Sequence, residues 1–556
     1  MAKKKTKKPK KKKHHVSKKK RELPKFKIFK RRAKALPEVK KIRLRYSLIP
    51  PFAGVDIKWD EEKKEIVYNV GEPKLSEKEK KIKDKIVSGL LEILDIELSA
   101  IKKKGEAIEY LEENVKNILK EYQIKLSKRT YLKIMYYIFR DFIGLNEIEP
   151  LLQDPYIEDI SCDGVEVPIY IVHRKYGSIK TNIVYNDIKQ LTEFVVKLAE
   201  RCGRFVSYAE PLLDGSLPDG SRVQASFAKD VTTRGPSFTI RKFVEIPLSP
   251  IDLMNRKTVS SEILAYLWLA VESGASILVA GGAGTGKTTF LNVLSMFIPP
   301  TAKIVSIEDT RELNLTHENW VPTVTRVSFM KGVGEVSMFD LLRTSFRQTP
   351  DYVIVGEVRG KEAYVMFQGM ASGIPAIGTM HAGRVEDVIY RLETPPIELS
   401  PALVDTLDLI IVMVHAREKG ESDRRVKEID EIQSVDPETG KARQVRYYYW
   451  LSDKDDFGKY AGDSWLLQEL SRIKGQSIPF MKKEIEKRKA LLEWMQKKKI
   501  TYFKDVAAIF SEYYKDPKKV LERARVIKKV KRKNKKKHEK KTRKKHKKKP
   551  RKRPKR

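Results

Sequence analysis

The sequence predicts an α/β protein in which a parallel-sheet domain follows an α+β domain and a mainly helical N-terminal region. Between about residues 248 and 436, strand and helix patterns alternate as they do in parallel α/β domains. Residues 147–247 hold short β-like runs, such as PIYIVHR and TNIVYN, separated by Gly, Pro and Asp. With 556 residues, the chain has room for about three or four domains.

The two ends of the chain carry most of its positive charge. Residues 1–33 contain 18 Lys/Arg and one acid, and residues 528–556 contain 21 Lys/Arg and one acid. These ends account for +17 and +20 of the formal +40, so the rest is nearly neutral. We expect disordered tails over 1–41 and 526–556 because such runs bury too little apolar surface to fold. Solvated arms, binding to anionic lipid and binding to RNA or DNA all remain open.

Two regions between the tails are predicted to be helical. In residues 42–146, apolar side chains recur at helical spacing, for example at Ile82, Ile86 and Leu90, and we interpret them as core contacts between helices. Residues 437–525 include the amphipathic stretch FMKKEIEKRKALLEWMQKKK. The sequence gives no function for this second region.

Cysteine content and hydropathy limit the class of protein. The only cysteines are Cys162 and Cys202, so neither a disulfide framework nor a cysteine-based zinc site is expected, and a reducing cytoplasm is favoured. The N-terminus lacks the apolar stretch of a secretory signal, and no run of about 18 apolar residues is present. We therefore expect a cytoplasmic protein that can lie against a membrane but not span it.

A phosphate-binding loop is the strongest chemical signal. In SILVAGGAGTGKTTFLNVL, the apolar strand Ile277–Val279 leads into a Gly-x-x-x-x-Gly-Lys-Thr motif, and an apolar-periodic helix follows. Small residues let backbone N–H groups surround phosphate oxygens, and the helix N-terminus favours anions. Lys287 is expected to reach the β- and γ-phosphates of ATP, and Thr288 to ligate Mg²⁺. The residues predicted to bind the phosphates are Gly281, Gly282, Ala283, Gly284, Thr285, Gly286, Lys287, Thr288 and Thr289.

The sequence around the loop excludes a dinucleotide site. Thr289 stands where the dinucleotide fingerprint requires its third glycine, and Lys287 has no role in that fingerprint.

Before the loop strand, an amphipathic helix is predicted from about Ser261 to Glu272.

Polar side chains follow three further apolar strands. Glu308 and Asp309 come directly after Ile304–Ile307, Glu357 ends the run DYVIVGE, and His381 ends AIGTMH. Ligands of open α/β sheets bind beyond the carboxyl ends of the strands, so these side chains are expected to face the nucleotide.

These motifs resemble the secretion-superfamily hexameric ATPases, which power type II and type IV secretion, type IV pili and the archaeal flagellum-like filament. The resemblance covers about Ile42–Ile432 and rests on GGAGTGKTT, SIEDTREL, YVIVGEVRG and GTMHAG, and on EPLLDGSLPDGSRVQ and SFTIRKF nearer the N-terminus. LQDPYIEDISCDG and RKYGSIKTNI are similar to the archaeal branch. The four-cysteine zinc insertion of bacterial members is absent, which also favours that branch.

The resemblance implies a RecA-like P-loop ATPase domain and a role for each polar residue. Glu308 is then the general base, and Glu357 with Thr288 holds Mg²⁺. His381 contacts the γ-phosphate side, while Arg222 and Arg241 close on the nucleotide from the α+β domain. Two further arginines, Arg311 and Arg347, are candidates for contacts within or between subunits.

The expected function is therefore an ATPase motor that uses ATP and Mg²⁺. The resemblance implies a homo-hexamer at the cytoplasmic face of the membrane, docked on a polytopic membrane platform protein and driving filament assembly or secretion. Two alternatives stay open: a conjugation-type ATPase for DNA or protein transfer, and an ATP-gated protein that binds nucleic acid through its tails.

Overall fold

The computed structural model describes residues 43–93, 104–227, 231–243, 246–326, 334–418, 421–436 and 442–526. The predicted disordered tails, 1–41 and 526–556, lie outside these ranges apart from residue 526. The chain divides into two compact units, Met1–Lys242 and Phe243–Arg556.

The first unit combines nine described strands with five α-helices. Its strands are β1 (Arg43–Ile49), β2 (Ala53–Asp60), β3 (Glu65–Gly71), β4 (Ile157–Cys162), β5 (Pro168–His173), β6 (Gly177–Val184), β7 (Leu212–Ser216), β8 (Arg222–Ser226) and β9 (Ser237–Arg241). Its helices are α1 (Glu77–Ile93), α2 (Lys104–Glu121), α3 (Lys128–Phe142), α4 (Glu149–Leu152) and α5 (Ile188–Arg201).

The nine strands form one sheet in the order β1-β2-β3-β6-β5-β4-β9-β8-β7. Every neighbouring pair is antiparallel except β3 and β6. The apolar sides of α2, α3 and α5 share one hydrophobic core with this sheet. The α+β prediction for residues 147–247 matches the elements found there.

Three strands near the N-terminus were not anticipated from the sequence. β1, β2 and β3 lie in the region predicted to be mainly helical, ahead of α1–α3. Their buried residues, such as Val55 and Ile57 of β2, alternate with partly exposed ones. Charged residues interrupt this short alternation, whereas the helical spacing of apolar residues downstream is longer and clearer. The region was therefore predicted to be mainly helical.

The second unit carries nine more described strands and eleven α-helices. Its strands are β10 (Ile277–Gly281), β11 (Ile304–Glu308), β12 (Trp320–Val324), β13 (Tyr352–Val355), β14 (Ala376–Met380), β15 (Leu409–Glu418), β16 (Glu421–Val435), β17 (Ala442–Leu451) and β18 (Asp456–Lys459). Its helices are α6 (Pro250–Asn255), α7 (Ser261–Glu272), α8 (Lys287–Ser295), α9 (Met338–Ser345), α10 (Glu362–Ala371), α11 (Val385–Glu393), α12 (Pro401–Val404), α13 (Trp465–Lys474), α14 (Ile478–Lys497), α15 (Phe503–Lys515) and α16 (Pro517–Arg523).

The second sheet has the order β12-β11-β13-β14-β10-β15-β16-β17-β18. The strands from β12 to β15 are parallel, and β16–β18 continue the sheet in antiparallel fashion. Alternate residues of the central strands enter two cores, one with α7, α8 and the C-terminal helices and one with α10–α12. This arrangement is the RecA-like α/β fold that the sequence predicts, and it explains why β10, β11 and β13 are buried throughout.

The predicted amphipathic helix before the loop, α7, is buried on every side. Nine consecutive residues, Ile263–Val271, are buried, including Tyr266 and Leu269 on the side expected to face solvent. The sheet covers one side of α7, and α14 and α15 cover the other. The prediction of an exposed side was wrong because these covering helices lie more than 200 residues later in the chain.

β17 and β18 extend the sheet beyond residue 436, within the segment predicted to be helical, and α13–α16 follow. The division at 41/42, 146/147, 247/248, 436/437 and 525/526 remains a proposal. Within the described ranges, no helix combines the length and apolar character needed to cross a bilayer.

Candidate active site

The phosphate loop connects the end of β10 at Gly281 to the start of α8 at Lys287. Two of its residues, Gly284 and Gly286, have positive φ angles of 71° and 92°, which other residues adopt only with strain. Gly281 is required for a different reason: a Cβ there would lie 2.5 Å from Thr285 Oγ1. The backbone therefore curls tightly at the N-terminus of α8, as phosphate binding needs.

Lys287 is held close to the loop. Its Nζ donates a hydrogen bond to the Gly282 carbonyl at 2.9 Å and lies 3.5 Å from His381 Nε2. Gly282, Ala283 and Gly284 are exposed, while Thr288 and Thr289 are half-buried in the first turn of α8. The loop is thus accessible where Lys287 and the helix N-terminus meet.

The parallel sheet gathers the predicted strand-end residues along one edge. β11, β13, β14 and β10 are consecutive in the sheet and parallel, so their carboxyl ends lie side by side. Glu308 ends β11, Glu357 follows β13 and His381 follows β14. In this order the two carboxylates and the histidine lead to the phosphate loop that follows β10 and ends at Lys287.

Glu308 is a buried carboxylate, only 2% exposed. Its Oε1 accepts hydrogen bonds from the backbone N–H groups of Glu312 and Leu313 at 2.9 and 3.0 Å. Its buried Oε2 has no hydrogen-bond partner among the described residues. Burial raises the pKa of Glu308 to about 7, although the two N–H donors oppose the rise. This shift was not predictable from the sequence, since it depends on burial.

Gly356, at the end of β13, makes room for Glu308. A Cβ at this position would lie 3.1 Å from Glu308 Cγ, which is tighter than ordinary packing allows. An Asp is usual at this strand end in nucleotide-hydrolysing enzymes, but here its side chain would compete with Glu308. The glycine at the strand end in VIVGEVRG is therefore explained by Glu308 on the neighbouring strand.

Glu357 lies between His381 and Arg359. Its Oε1 is 3.1 Å from His381 Nε2, and its Oε2 accepts a hydrogen bond from Arg359, which also lies 3.6 Å from Asp309. Burial alone would raise the pKa of Glu357, but Arg359, His381 and Lys287 together lower it. Burial, followed by the charge of Lys287, lowers the pKa of His381. Near pH 7 the site therefore holds an ionised Glu357 beside a neutral imidazole.

A cluster of three or more metal-ligating Asp, Glu, His or Cys side chains does not occur among the described residues. Mg²⁺ in nucleotide sites takes one or two protein ligands and completes its shell with phosphates and water. Thr288 and Glu357 fit that requirement by residue type and by position next to the loop.

Comparison with known proteins identifies the family. A sequence model described as type II/IV secretion system protein matches residues 144–446, which is more than half of the chain. The chain belongs to the type II/IV secretion system protein family. A second family model, described as PilB3-like, C-terminal, matches residues 453–531 of this family member.

Individual relatives support the same assignment. The secretion-family chain is 35% identical over 475 residues to the uncharacterized protein MJ0900 of Methanocaldococcus jannaschii, covering 80% of this chain and 85% of that protein. It is 34% identical over 268 residues to the type IV secretion system protein PtlH of Bordetella pertussis, covering 42% of this chain and 78% of PtlH.

Solved structures of similar proteins include an ATPase and a pilus motor. The DotB ATPase of Legionella pneumophila matches with 14% identity and a TM-score of 0.39, over 65% of this chain and 92% of DotB. The pilus retraction motor PilT with bound ADP matches with 17% identity and a TM-score of 0.35, over 61% of this chain and 90% of PilT.

The two arginines that were predicted to close on the nucleotide, Arg222 and Arg241, are neighbours in the first unit. Arg222 of β8 and Arg241 of β9 are paired directly across the antiparallel strands, and both are exposed. Arg222 forms an ion pair with Asp214 at 3.0 Å. Like charges directly opposite each other weaken strand pairing, but Asp159 of β4 lies opposite Arg241 and, with Asp214, offsets this repulsion.

The remaining predicted arginines differ in setting. Arg311 lies over the rings of Phe243 and Trp320, at 5.8 and 5.5 Å. Arg347 is exposed in a short 3₁₀ turn after α9.

Two residues beside the loop were missed from the sequence. Arg424 donates a hydrogen bond to the Gly284 carbonyl at 2.9 Å, and the His415 side chain lies against Gly284. They are 130 and more residues from the loop, in a charged run that shows no motif. Only the pairing of β15 with β10 brings them there.

Proposed function

We propose that this secretion-family protein is an ATP-hydrolysing motor that powers assembly of a type IV pilus, an archaeal flagellum-like filament or a related secretion system at the cytoplasmic membrane. The observation that carries the proposal is the row of Glu308, Glu357, His381 and Lys287 along the carboxyl edge of four parallel strands. Phosphoryl transfer requires positioned water, charge neutralisation and cationic donors, and this row supplies one group for each.

In the proposed mechanism, the backbone of Gly281–Thr289 and the side chain of Lys287 bind the phosphates of ATP. Thr288 and Glu357 would hold Mg²⁺, whose charge neutralises the β/γ oxygens. His381, beside both Lys287 and Glu357, contacts the γ-phosphate side and responds when that charge is lost.

Glu308 acts as the general base in this mechanism. Its Oε1 is fixed by two backbone donors, which leaves Oε2 to accept a proton from the attacking water. The oxygen of that water forms a bond to the γ-phosphorus as the bond to ADP breaks. A base with a pKa near 7 is well matched to this role at neutral pH.

Arg222 and Arg241 supply the remaining cationic groups of the proposed mechanism. Two adjacent guanidinium groups can stabilise the charge that develops on the transferred phosphoryl group, an effect worth roughly a thousandfold or more in rate. Because they belong to a different unit from the phosphate loop, ATP binding and hydrolysis would then change the angle between the units. A homo-hexamer of such subunits on a polytopic membrane platform would convert this change into work.

The central experiment measures ATP hydrolysis by the purified full chain. We expect Lys287→Ala to abolish hydrolysis, and Glu308→Gln to bind ATP while turning over at least a hundredfold more slowly. Lys454→Ala removes an exposed lysine from a turn and serves as the matched control. Full turnover by Glu308→Gln would refute the assignment of the base.

A conjugation-type ATPase for DNA or protein transfer is the second candidate, and the basic ends of the chain favour it. A third is an ATP-gated nucleic-acid-binding protein, for which deletion of residues 1–33 and 528–556 would remove tight, salt-sensitive binding. Crosslinking in cells discriminates between them. A polytopic membrane protein supports the filament or secretion motor, whereas nucleic acid alone would exclude it.

A further inference from the structure

The β15–β16 hairpin lies against the outer side of the phosphate loop. A Cβ on Gly281 would lie 2.8 Å from the Met413 carbonyl oxygen of β15. A Cβ on Gly284 would lie 3.3 Å from His415 Nε2, and one on Gly286 would lie 3.2 Å from Arg424 Cδ. His415 and Arg424 are paired across the hairpin, so two strands outside the loop motif follow its course.

One contact fixes the orientation of a loop peptide. Arg424 Nε donates a hydrogen bond to the Gly284 carbonyl oxygen at 2.9 Å. In a planar trans peptide, the C=O of one residue and the N–H of the next point in opposite directions. Holding the Gly284 carbonyl toward Arg424 therefore directs the Thr285 N–H away from the hairpin.

This orientation matters because the loop binds phosphate through backbone N–H groups. The plane of the Gly284–Thr285 peptide turns about ψ of Gly284 and φ of Thr285, and Gly284 itself has a φ of 71°. Glycine restricts the backbone less than any other residue, so such a peptide can rotate at little cost. An external donor is needed to favour one orientation.

We infer that Arg424 is a positioning residue for ATP binding, which acts through the Gly284 carbonyl and not by touching the substrate. It keeps the Thr285 N–H in the phosphate-binding orientation before ATP arrives. The inference rests on the proposed function, because it presumes that the loop binds ATP. It adds to the site a residue from a different part of the sheet.

Two substitutions of Arg424 separate its hydrogen bond from its charge. Gln carries an N–H donor on the atom that corresponds to Arg Nε, but it has no charge. Lys keeps the charge but has a methylene group at that position. Arg424→Met removes both the donor and the charge while keeping an unbranched chain as far as the atom that corresponds to Nε. Arg443→Met, on the exposed side of β17, is the matched control.

The test measures the affinity of the full chain for a fluorescent ATP analogue, together with kcat and KM for ATP. We expect Arg424→Met to weaken binding about tenfold and to raise KM more than it lowers kcat, since the hydrogen bond to the Gly284 carbonyl is lost. Arg424→Gln should recover most of the affinity, and Arg424→Lys should recover little. The control should bind as the wild type does.

Wild-type affinity in Arg424→Met would overturn the inference. So would better recovery by Lys than by Gln, because charge would then matter and the hydrogen bond would not. If Arg424→Met does not fold, the Gln and Lys variants still decide between these outcomes. A wild-type chain that fails to bind ATP would refute the proposed function itself, whereas the first two results leave that function intact.

Discussion

At the residue scale, the site depends on one pair from neighbouring strands, Glu308 and Gly356. Glu308 can be buried at the end of β11 because Gly356 on β13 has no side chain to fill the same space. Two neighbouring strand ends thereby share the catalytic roles. Glu308 is proposed as the base, and Glu357, one residue after the glycine, is proposed as the metal ligand.

Gly356→Ala tests this division. A methyl group 3.1 Å from Glu308 Cγ must displace the Glu308 side chain, and a small misplacement of a catalytic group can cost roughly a hundredfold in rate. We expect a large fall in kcat with nearly unchanged ATP affinity, because the phosphate loop is untouched. Gly105→Ala, where a Cβ meets nothing within 4 Å, is the control. Unchanged kcat would show that Glu308 does not need its present position.

The pKa of Glu308 predicts the pH dependence of turnover. A base that must be ionised, with a pKa of about 7, gives a rate that rises with pH through that value. We expect kcat/KM for ATP to rise about tenfold between pH 6 and pH 8. A flat profile over this range would contradict the assignment.

The same shift predicts how pH affects stability. Folding raises the pKa of Glu308 from 4.5 to about 7, so the folded state binds more protons than the unfolded state between these values. The buried carboxylate therefore lowers stability as pH rises. Glu308→Gln should be more stable than the wild type at pH 8, by on the order of 3 kcal/mol, and the gain should vanish below about pH 4.5. Thermal unfolding at the two pH values measures it.

At the scale of elements, the C-terminal helices form one wall of the nucleotide-binding domain. Trp268 of α7 packs on Phe510 of α15 at 4.5 Å and beneath the buried Arg488 of α14 at 5.0 Å. Its Nε1 donates to Tyr514, whose hydroxyl donates to the Phe297 carbonyl two residues after the end of α8. The segment after α8, the helix that begins at Lys287, is thus linked to α15.

Phe510→Ala tests whether the C-terminal helices and the nucleotide-binding sheet unfold together. Phe510 is 2% exposed, and removing a buried aromatic ring costs about 3–5 kcal/mol. We expect a single unfolding transition, shifted to lower temperature and raised by ATP. Ile473→Ala removes an apolar side chain that is 78% exposed on α13 and should change stability by less than about 0.5 kcal/mol. A separate low-temperature transition in Phe510→Ala would show that the C-terminal helices fold independently.

The elements also show how far sequence reasoning reaches. The phosphate loop and the strand ends at Glu308, Glu357 and His381 were predictable because each is a local pattern, and parallel pairing brings the strand ends together. The contacts of Gly356 with Glu308, of Arg424 with Gly284 and of α7 with α14 were not, because each joins segments far apart in sequence. Burial decides the pKa of Glu308, and burial is a property of those contacts.

At the scale of the whole molecule, the arginine pair on β8 and β9 is proposed to couple hydrolysis to motion. Arg222 and Arg241 lie opposite each other in one unit, and the phosphate loop lies in the other. If the arginines serve the nucleotide, they must reach it when the units close, so closure and catalysis would depend on the same two charges.

The double variant Arg222→Ala/Arg241→Ala tests that dependence in the full chain. We expect ATP affinity within about threefold of the wild type, because the loop and Lys287 remain, but a rate lower by roughly a thousandfold. Small-angle scattering should show the wild type becoming more compact with a non-hydrolysable ATP analogue, while the double variant does not change. Arg129→Ala/Arg204→Ala, two charges of the same unit outside the β8–β9 pair, controls for net charge. Normal closure by the double variant would remove the arginines from the mechanism, and the coupling between hydrolysis and movement would then have to pass through His381.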